Sequence, residues 1–315
     1  MTTINRTVDG LTGFELGIFY IYRSASFLAA GLRSKSCVSS LSVSLLCFGS
    51  PAAHSETALE RGAYLMRSIV ACGNCHTPKD HDGKAIANQE LAGGFEITAP
   101  VFHAVSPNIT PDKETGIGDW TDDQIANAIR NGKRPNGTTI GPPMPISYYR
   151  NMSDSDVRAI VAYLRTVKPI KNRTEKSTYK IPLPAQYGPA VTTVPDVPRT
   201  NRVAYGQYLA TALGHCMDCH TPQVNGRSDM SRLGAGGREF EAPGGGVITS
   251  ANLTPANDLG IAKWTDAQVK DAITHGVRPD RRLVPLMAFE WYKNISADDL
   301  DALVAYFRRL KPALP

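Results

Sequence analysis

Cys72, Cys75 and His76 stand as C-x-x-C-H in "ACGNCHTPKD" (Ala71 to Asp80), and Cys216, Cys219 and His220 repeat that order in "GHCMDCHTP" (Gly214 to Pro222). Two thiols at this spacing can form a redox dithiol, supply half of a tetrahedral zinc site, or anchor a cofactor that also uses the adjacent histidine. At the Cys and His frequencies of this chain, one such pentad arises by chance in roughly 0.3% of sequences of this length. Two in register exclude chance.

A thioredoxin-like dithiol wants a βαβ context and has no use for the histidine, which is present both times. Structural zinc wants its second ligand pair within about 15 to 20 residues, and the other C-x-x-C is 144 residues away. The remaining chemistry is covalent c-type haem, in which two thiols add to the haem vinyl groups and the adjacent histidine is the proximal iron ligand.

The pentads belong to a longer repeat. Residues 60–169 return as 204–312, at an offset of 144 up to Pro135 and Pro279 and of 143 beyond. "SPNITPDKETGIGDWTDDQI" matches "SANLTPANDLGIAKWTDAQV", and "SDSDVRAIVAYLRTVKP" matches "SADDLDALVAYFRRLKP". The repeat also sorts the methionines. Of positions 66, 144, 152, 217, 230 and 287, only Met144 and Met287 face each other, in "GPPMPISYY" and "VPLMAFEWY". Each lies in a Pro-containing loop, 68 or 67 residues after its histidine. Such a pair reads either as a core methionine kept through duplication or as a distal thioether ligand. His81, His103, His215 and His275 align with Asn225, Val247, Ala71 and Asn131, which makes them surface or supporting residues; His103 and His275 are the rival sixth ligands.

The elements that must position these groups read as helices. "TDDQIANAIRNG" opens on a Thr121/Gln124 capping box and stops at Gly132, and "TDAQVKDAITHG" repeats this with Thr265, Gln268 and Gly276. The last helix of each copy starts at Ser153 or Ser296 and is ended by Pro169 or Pro312, with Val157, Ile160, Val161 and Leu164 at helical spacing. Strand signals are sparse, so the expected class is all-α: two tandem domains, 56–169 and 201–315, each burying its own core. Residues 170–200 carry five prolines and little apolar periodicity, the composition of an extended connector.

Residues 1–55 differ. Arg33 and Lys35 precede the apolar run Val38 to Gly49, and "SPAAHS" follows with Ala53 and Ser55. This reads as a secretory signal cleaved near Ser55, too short to span a bilayer, although "GFELGIFYIY" (Gly13 to Tyr22) lies ahead of the basic patch. Its removal takes Cys37, Cys47, four basic and two acidic residues, so the formal charge falls from +5 to +3. That balance is no nucleic-acid footprint.

Both copies resemble the class I cytochrome c domain, and the whole resembles the diheme cytochrome c subunits that accompany periplasmic and membrane-bound bacterial dehydrogenases. "CGNCHTP" and "CMDCHTP", the N-I/L-T-P runs, "GIGDWTD" and "GIAKWTD", "MPISYY" and the closing "AYLRTVKP" and "AYFRRLKP" carry the resemblance. It implies two covalent haem c groups with iron ligands His76, Met144, His220 and Met287, and no catalytic residue. It implies a dehydrogenase as electron donor, a cytochrome or terminal oxidase as acceptor, a periplasmic location, and allows peripheral membrane association through a partner subunit. It gives Gly62 and Gly206 the crossing of the first helix over the last, near Tyr163 and Tyr306. It places Trp120 and Trp264 at haem edges or in the core, and Asn108 and Asn252 as haem-pocket donors. Two features depart from the pattern: membrane-bound alcohol and sugar dehydrogenases use three such domains, and "MAFEWY" lacks the usual Met-Pro. A diheme enzyme of peroxidase or thiosulfate-oxidising type is the competing expectation, and would need one haem with a displaceable ligand.

Overall fold

The computed structural model describes residues 56–315 except 225, 243, 244, 284 and 285. The expected signal, with Cys37 and Cys47, lies outside the described residues. Local sequence explains where the helices begin. Helix α1 (Ala58–Arg67) starts on a capping box of Thr57 and Glu60, and α2 (Cys72–His76) follows within one turn. A ribbon of β1 (Glu96–Ala99) and β2 (Phe102–Val105) precedes α3 (Asp122–Asn131), whose Thr121/Gln124 box and left-handed Gly132 stop are those expected. The short α4 (Ile146–Tyr149) follows Met144, and α5 (Asp154–Thr166) starts on Ser153. In the segment after it, β3 (Thr178–Tyr179) adds to β2, with Tyr179 opposite Phe102.

The second copy runs through the same succession: α6 (Arg202–Tyr208), continued by a π-helical turn Leu209–Leu213, then α7 (Cys216–Cys219). Strands β4 (Gln223–Val224), β5 (Arg227–Ser228), β6 (Glu239–Glu241) and β7 (Val247–Thr249) form two antiparallel pairs. Helices α8 (Asp266–Thr274), α9 (Phe289–Tyr292) and α10 (Ala297–Phe307) close the copy. The one-residue offset change falls at a hairpin: Lys133 bridges Thr139, and Val277 bridges Arg282. The all-α expectation is corrected to a helix-rich fold, 33% helical, with short antiparallel ribbons. The ribbons arise where a tight turn lets four or fewer extended residues pair, too few to set up a clear alternation.

The first helix of each copy lies directly on the last. A Cβ on Gly62 would sit 2.0 Å from the Ala159 carbonyl oxygen and 3.0 Å from Tyr163 Cβ. On Gly206 it would sit 1.9 Å from the Ala302 oxygen and 3.0 Å from Tyr306 Cβ. Only hydrogen fits, which fixes α1 on α5 and α6 on α10. The buried side chains of both copies form one contiguous cluster, with Leu65, Ile69 and Ile160 joined to Leu209, Leu213 and Leu303. The described residues 56–315 accordingly belong to one compact unit.

Polar groups seal that shared interface reciprocally. The Tyr64 hydroxyl donates to Asp299 at 2.7 Å and accepts from the Ser296 amide at 3.1 Å. The aligned Tyr208 hydroxyl donates to Asp156 at 2.7 Å and accepts from the Ser153 amide at 3.0 Å. Each copy thus caps the last helix of the other. Asp156 also holds the buried Arg61 through bonds of 2.7 and 3.1 Å, whereas the position aligned with Arg61 is Tyr205.

Candidate functional site

Both pentads are aimed by the same backbone device. Ala71 and His215, just ahead of α2 and α7, hold left-handed φ values of 49° and 39°, sparsely populated for residues with a Cβ. The turn sets the cysteines on a short helix and swings the histidine to its end. His76 Nδ1 lies 2.9 Å from the Pro107 carbonyl oxygen, and His220 Nδ1 lies 2.7 Å from that of Ala251. A carbonyl only accepts, so Nδ1 carries the proton and Nε2 keeps its lone pair. Desolvation lowers both imidazole pKa values, against the raising effect of these bonds, so the rings are neutral. A neutral imidazole anchored through Nδ1 is a pre-oriented metal ligand.

The carbonyls that orient the histidines are themselves held. Asn108 Oδ1 accepts from the Thr110 amide at 2.9 Å and hydroxyl at 2.8 Å, while its Nδ2 donates to Thr115 Oγ1 at 3.0 Å and the Ile170 carbonyl at 2.7 Å. Asn252 repeats this with Thr254, at 2.8 and 2.7 Å, and the Ala313 carbonyl, at 2.7 Å. The amides therefore tie each N-x-T loop to the chain leaving the last helix and position the histidine-orienting carbonyl. The amide nitrogens expected as haem-pocket donors are engaged by these loop partners.

Among the described residues Cys72, Cys75, Cys216 and Cys219 are free thiols. Desolvation, reinforced by Cys75, pushes Cys72 up to about 12; desolvation pushes Cys216 to about 12 and Cys219 to about 11, and raises Cys75. Raised thiols of this kind hold little thiolate at neutral pH, unlike the depressed thiol of a reactive dithiol. Among the described residues no three His, Cys, Asp or Glu side chains converge as a metal-ion site. Paired thiols beside an imidazole suit a haem, whose periphery takes the thiols and whose iron takes the imidazole.

Met144 follows the hairpin of residues 133–139 and packs, half-buried, against the core; Met287, also half-buried, stands at the aligned position ahead of α9. The rival histidines are engaged elsewhere. His81 is 90% exposed beside Asp82, His103 bonds Thr98 within the ribbon, and His275 bonds Asp271 on α8. His215 packs edge-on against Tyr149, ring centroids 5.7 Å apart. Trp120 and Trp264 pack against the core, their carbonyls accepting from Arg165 and Arg308.

Sequence reading missed three sets of residues. Arg165 and Arg308, aligned across the repeat, also pair with Asp122 and Asp266 at 2.8 and 2.9 Å. Arg134 and Arg278, in the repeated Arg-Pro steps, stand beside the methionine hairpins: Arg134 donates to the Thr139 carbonyl at 3.0 Å, and Arg278 lies 4.9 Å over the Trp264 ring. The third set bridges the copies. Tyr149 senses Cys72, Cys75 and Tyr292, and Tyr292 senses Cys216, Cys219 and Cys75; both hydroxyls are raised well above their usual range, first by desolvation. Trp291 of the second copy roofs Gly73, where a Cβ would meet its Nε1 at 3.2 Å. The two pentads therefore face one interface, with α4 and α9 between them.

The cytochrome c family model matches residues 59–168. The cytochrome c subunit of a quinone alcohol dehydrogenase from Gluconobacter oxydans is 31% identical over 295 residues, 87% of this chain and 59% of the relative. The cytochrome c subunit of gluconate 2-dehydrogenase from Pantoea cypripedii is 30% identical over 273 residues, 81% and 60% of the two chains. A diheme cytochrome c-type protein of Cereibacter sphaeroides is 31% identical over 258 residues, 77% and 82%. The chain thus spans about three-fifths of the length of the two dehydrogenase subunits.

Proposed function

Because the chain belongs to the cytochrome c family, we propose that it is a periplasmic electron carrier with two covalent haem c groups. In this reading 56–169 and 201–315 are tandem cytochrome c domains, and 170–200 is the Pro-rich connector. The observation that carries it is one site built twice: paired neutral thiols on a short helix, beside an imidazole whose Nδ1 is fixed to a carbonyl at 2.9 or 2.7 Å. Cys72 and Cys75, and Cys216 and Cys219, would form the thioethers. His76 and His220 would be the proximal ligands, with Met144 and Met287 as the distal ones.

Haem held between histidine and methionine passes single electrons and offers no open iron position. The residues around it serve that task. The imidazoles are held neutral, Arg134, without an ion pair among the described residues, is suited to a cofactor carboxylate, and Tyr149 and Tyr292 span the ground between the two anchoring motifs. Relatives that are dehydrogenase subunits support a dehydrogenase as donor, with a cytochrome or terminal oxidase as acceptor; residues 1–55 would direct export. Among the described residues no helix is long and apolar enough to cross a membrane; the reading allows peripheral membrane association through a partner subunit.

The test is cofactor stoichiometry by mass spectrometry and by the reduced pyridine-haem spectrum. Two haems per chain are expected, and Cys72→Ala with Cys75→Ala should leave one, on the second copy. A wild-type chain with one haem or none would sink the reading. Rapid stoichiometric carbon monoxide binding at one haem of the reduced protein would favour the diheme enzyme instead.

A further inference from the structure

The stretch Thr139 to Pro142 leads into Met144, and the linking segment lies across it. Tyr179 donates its hydroxyl to the Pro142 carbonyl at 3.0 Å, and Tyr187 donates to the Ile140 carbonyl at 2.8 Å. Thr139 Oγ1 donates to the Ala185 carbonyl at 3.4 Å. Gly141 lies under the Tyr179 ring: a Cβ there would come 2.5 Å from Cζ, and 2.8 Å from Leu183 Cδ2. The segment is itself anchored on both sides of these contacts. Tyr179 pairs with Phe102 in the ribbon, Arg150 donates to the Tyr187 and Pro189 carbonyls, and Val191 exchanges hydrogen bonds with Asn131 at 2.9 and 3.2 Å.

The second copy lacks this arrangement among the described residues. The groove that receives residues 185–191 in the first copy is here an open cleft of about 460 Å³ lined by His275, Phe289 and Lys293, which align with Asn131, Ile146 and Arg150. Among the described residues, hydrogen bonds join Arg281 to Leu283 only with residues 275–280 of the same hairpin. The position aligned with Gly141 is Val284.

We infer that residues 179–191 are a brace that holds Met144 in place, and that Met287 is the ligand an added nitrogen base displaces first. This rests on the methionine ligation proposed above. Tyr179 and Tyr187 are positioning residues: they act on iron only through Met144. In the exchange the iron–sulfur bond of Met287 breaks, an iron–nitrogen bond to imidazole forms, the thioether leaves neutral, and no electron moves. The same exchange at Met144 must also move carbonyls tied to the two tyrosines, which adds the cost of those bonds.

The experiment uses the full-length protein with both haems, and its probe is imidazole. Haem-shifted methionine methyl resonances are counted by NMR and assigned with Met144→Ala and Met287→Ala. Two such resonances establish the ligation; fewer than two would overturn the ligand reading itself, separately from the brace. With both present, imidazole should remove the Met287 resonance at a concentration about tenfold lower than the Met144 resonance, the factor expected from one or two net hydrogen bonds. The methionine-to-iron charge-transfer absorption of the ferric protein should be lost in two halves. Tyr179→Ala with Tyr187→Ala should bring the two steps together, and the Tyr→Phe pair should do so partly. Simultaneous loss in the wild type, or loss of Met144 first, would overturn the brace even if the alanine variant fails to fold.

Discussion

At the scale of the residue, the asparagine that directly follows each orienting carbonyl, Asn108 after Pro107 and Asn252 after Ala251, governs where each histidine points. Asn108 satisfies the amide and hydroxyl of Thr110, the hydroxyl of Thr115 and the carbonyl of Ile170, and it is 3% exposed. Asn108→Ala leaves those groups buried without it and frees the Pro107 carbonyl to drift from His76 Nδ1. The expected cost is about 1–3 kcal/mol, the usual penalty for orphaned buried polar groups, read from denaturant unfolding. Asn252→Ala should cost less, because the position aligned with Thr115 is Leu259 and that bond does not exist in the second copy. An equal or reversed order would show that the loops are held by something else. The buried pair of Arg61 and Asp156 belongs to the same scale. Asp156→Ala removes the carboxylate to which both the buried Arg61 guanidinium and the Tyr208 hydroxyl donate, and should cost about 3–5 kcal/mol; a loss below about 1 kcal/mol would contradict it.

At the scale of the element, the crossing of first on last helix is the joint that turns two amphipathic helices into a scaffold. Gly62→Ala and Gly206→Ala each press a methyl to about 2 Å from a carbonyl oxygen of the helix beneath. The backbones must separate, at a cost of about 1–3 kcal/mol or more, and thermal unfolding of each variant measures it; a neutral Gly206→Ala would mean that α6 and α10 do not touch as described. Legibility divides at this scale. Caps at Thr121 and Thr265 and the two pentads are local patterns, with every partner within four residues, so spacing alone disclosed them. The glycines were legible through the family's fold, because a close approach leaves no periodicity. The ribbons escaped because β6 and β7 have only three residues each. The brace escaped because its tyrosines sit in a stretch whose composition says only that it is extended, and their acceptors lie 37 and 47 residues away.

At the scale of the whole molecule, the two copies form one body through an exchange of tyrosines, and that exchange is pH-sensitive in a calculable direction. Desolvation first, and then Asp299, push the Tyr64 hydroxyl up from 10 to about 12. Tyr208 is raised further, by desolvation and Asp156. A group whose pKa is higher in the folded state holds its proton longer there, so its stabilisation is complete below the unfolded value. Between pH 10 and 12 the unfolded chain releases the Tyr64 proton while the folded chain keeps it, so stability falls as pH rises through that window. Urea midpoints measured from pH 9 to 12 should decline for the wild type, and Tyr64→Phe should show a shallower decline by the loss of one proton's linkage. The two exchanges are also unequal. Tyr208→Phe leaves Asp156 paired with Arg61, whereas Tyr64→Phe leaves the buried Asp299 carboxylate without its side-chain donor, because Tyr205 replaces the arginine. Tyr64→Phe should therefore be the more destabilising at neutral pH, by about 1 kcal/mol or more. Should the two variants unfold at the same urea concentration, or should the alkaline decline persist unchanged in Tyr64→Phe, the interface would be held by its apolar contacts alone.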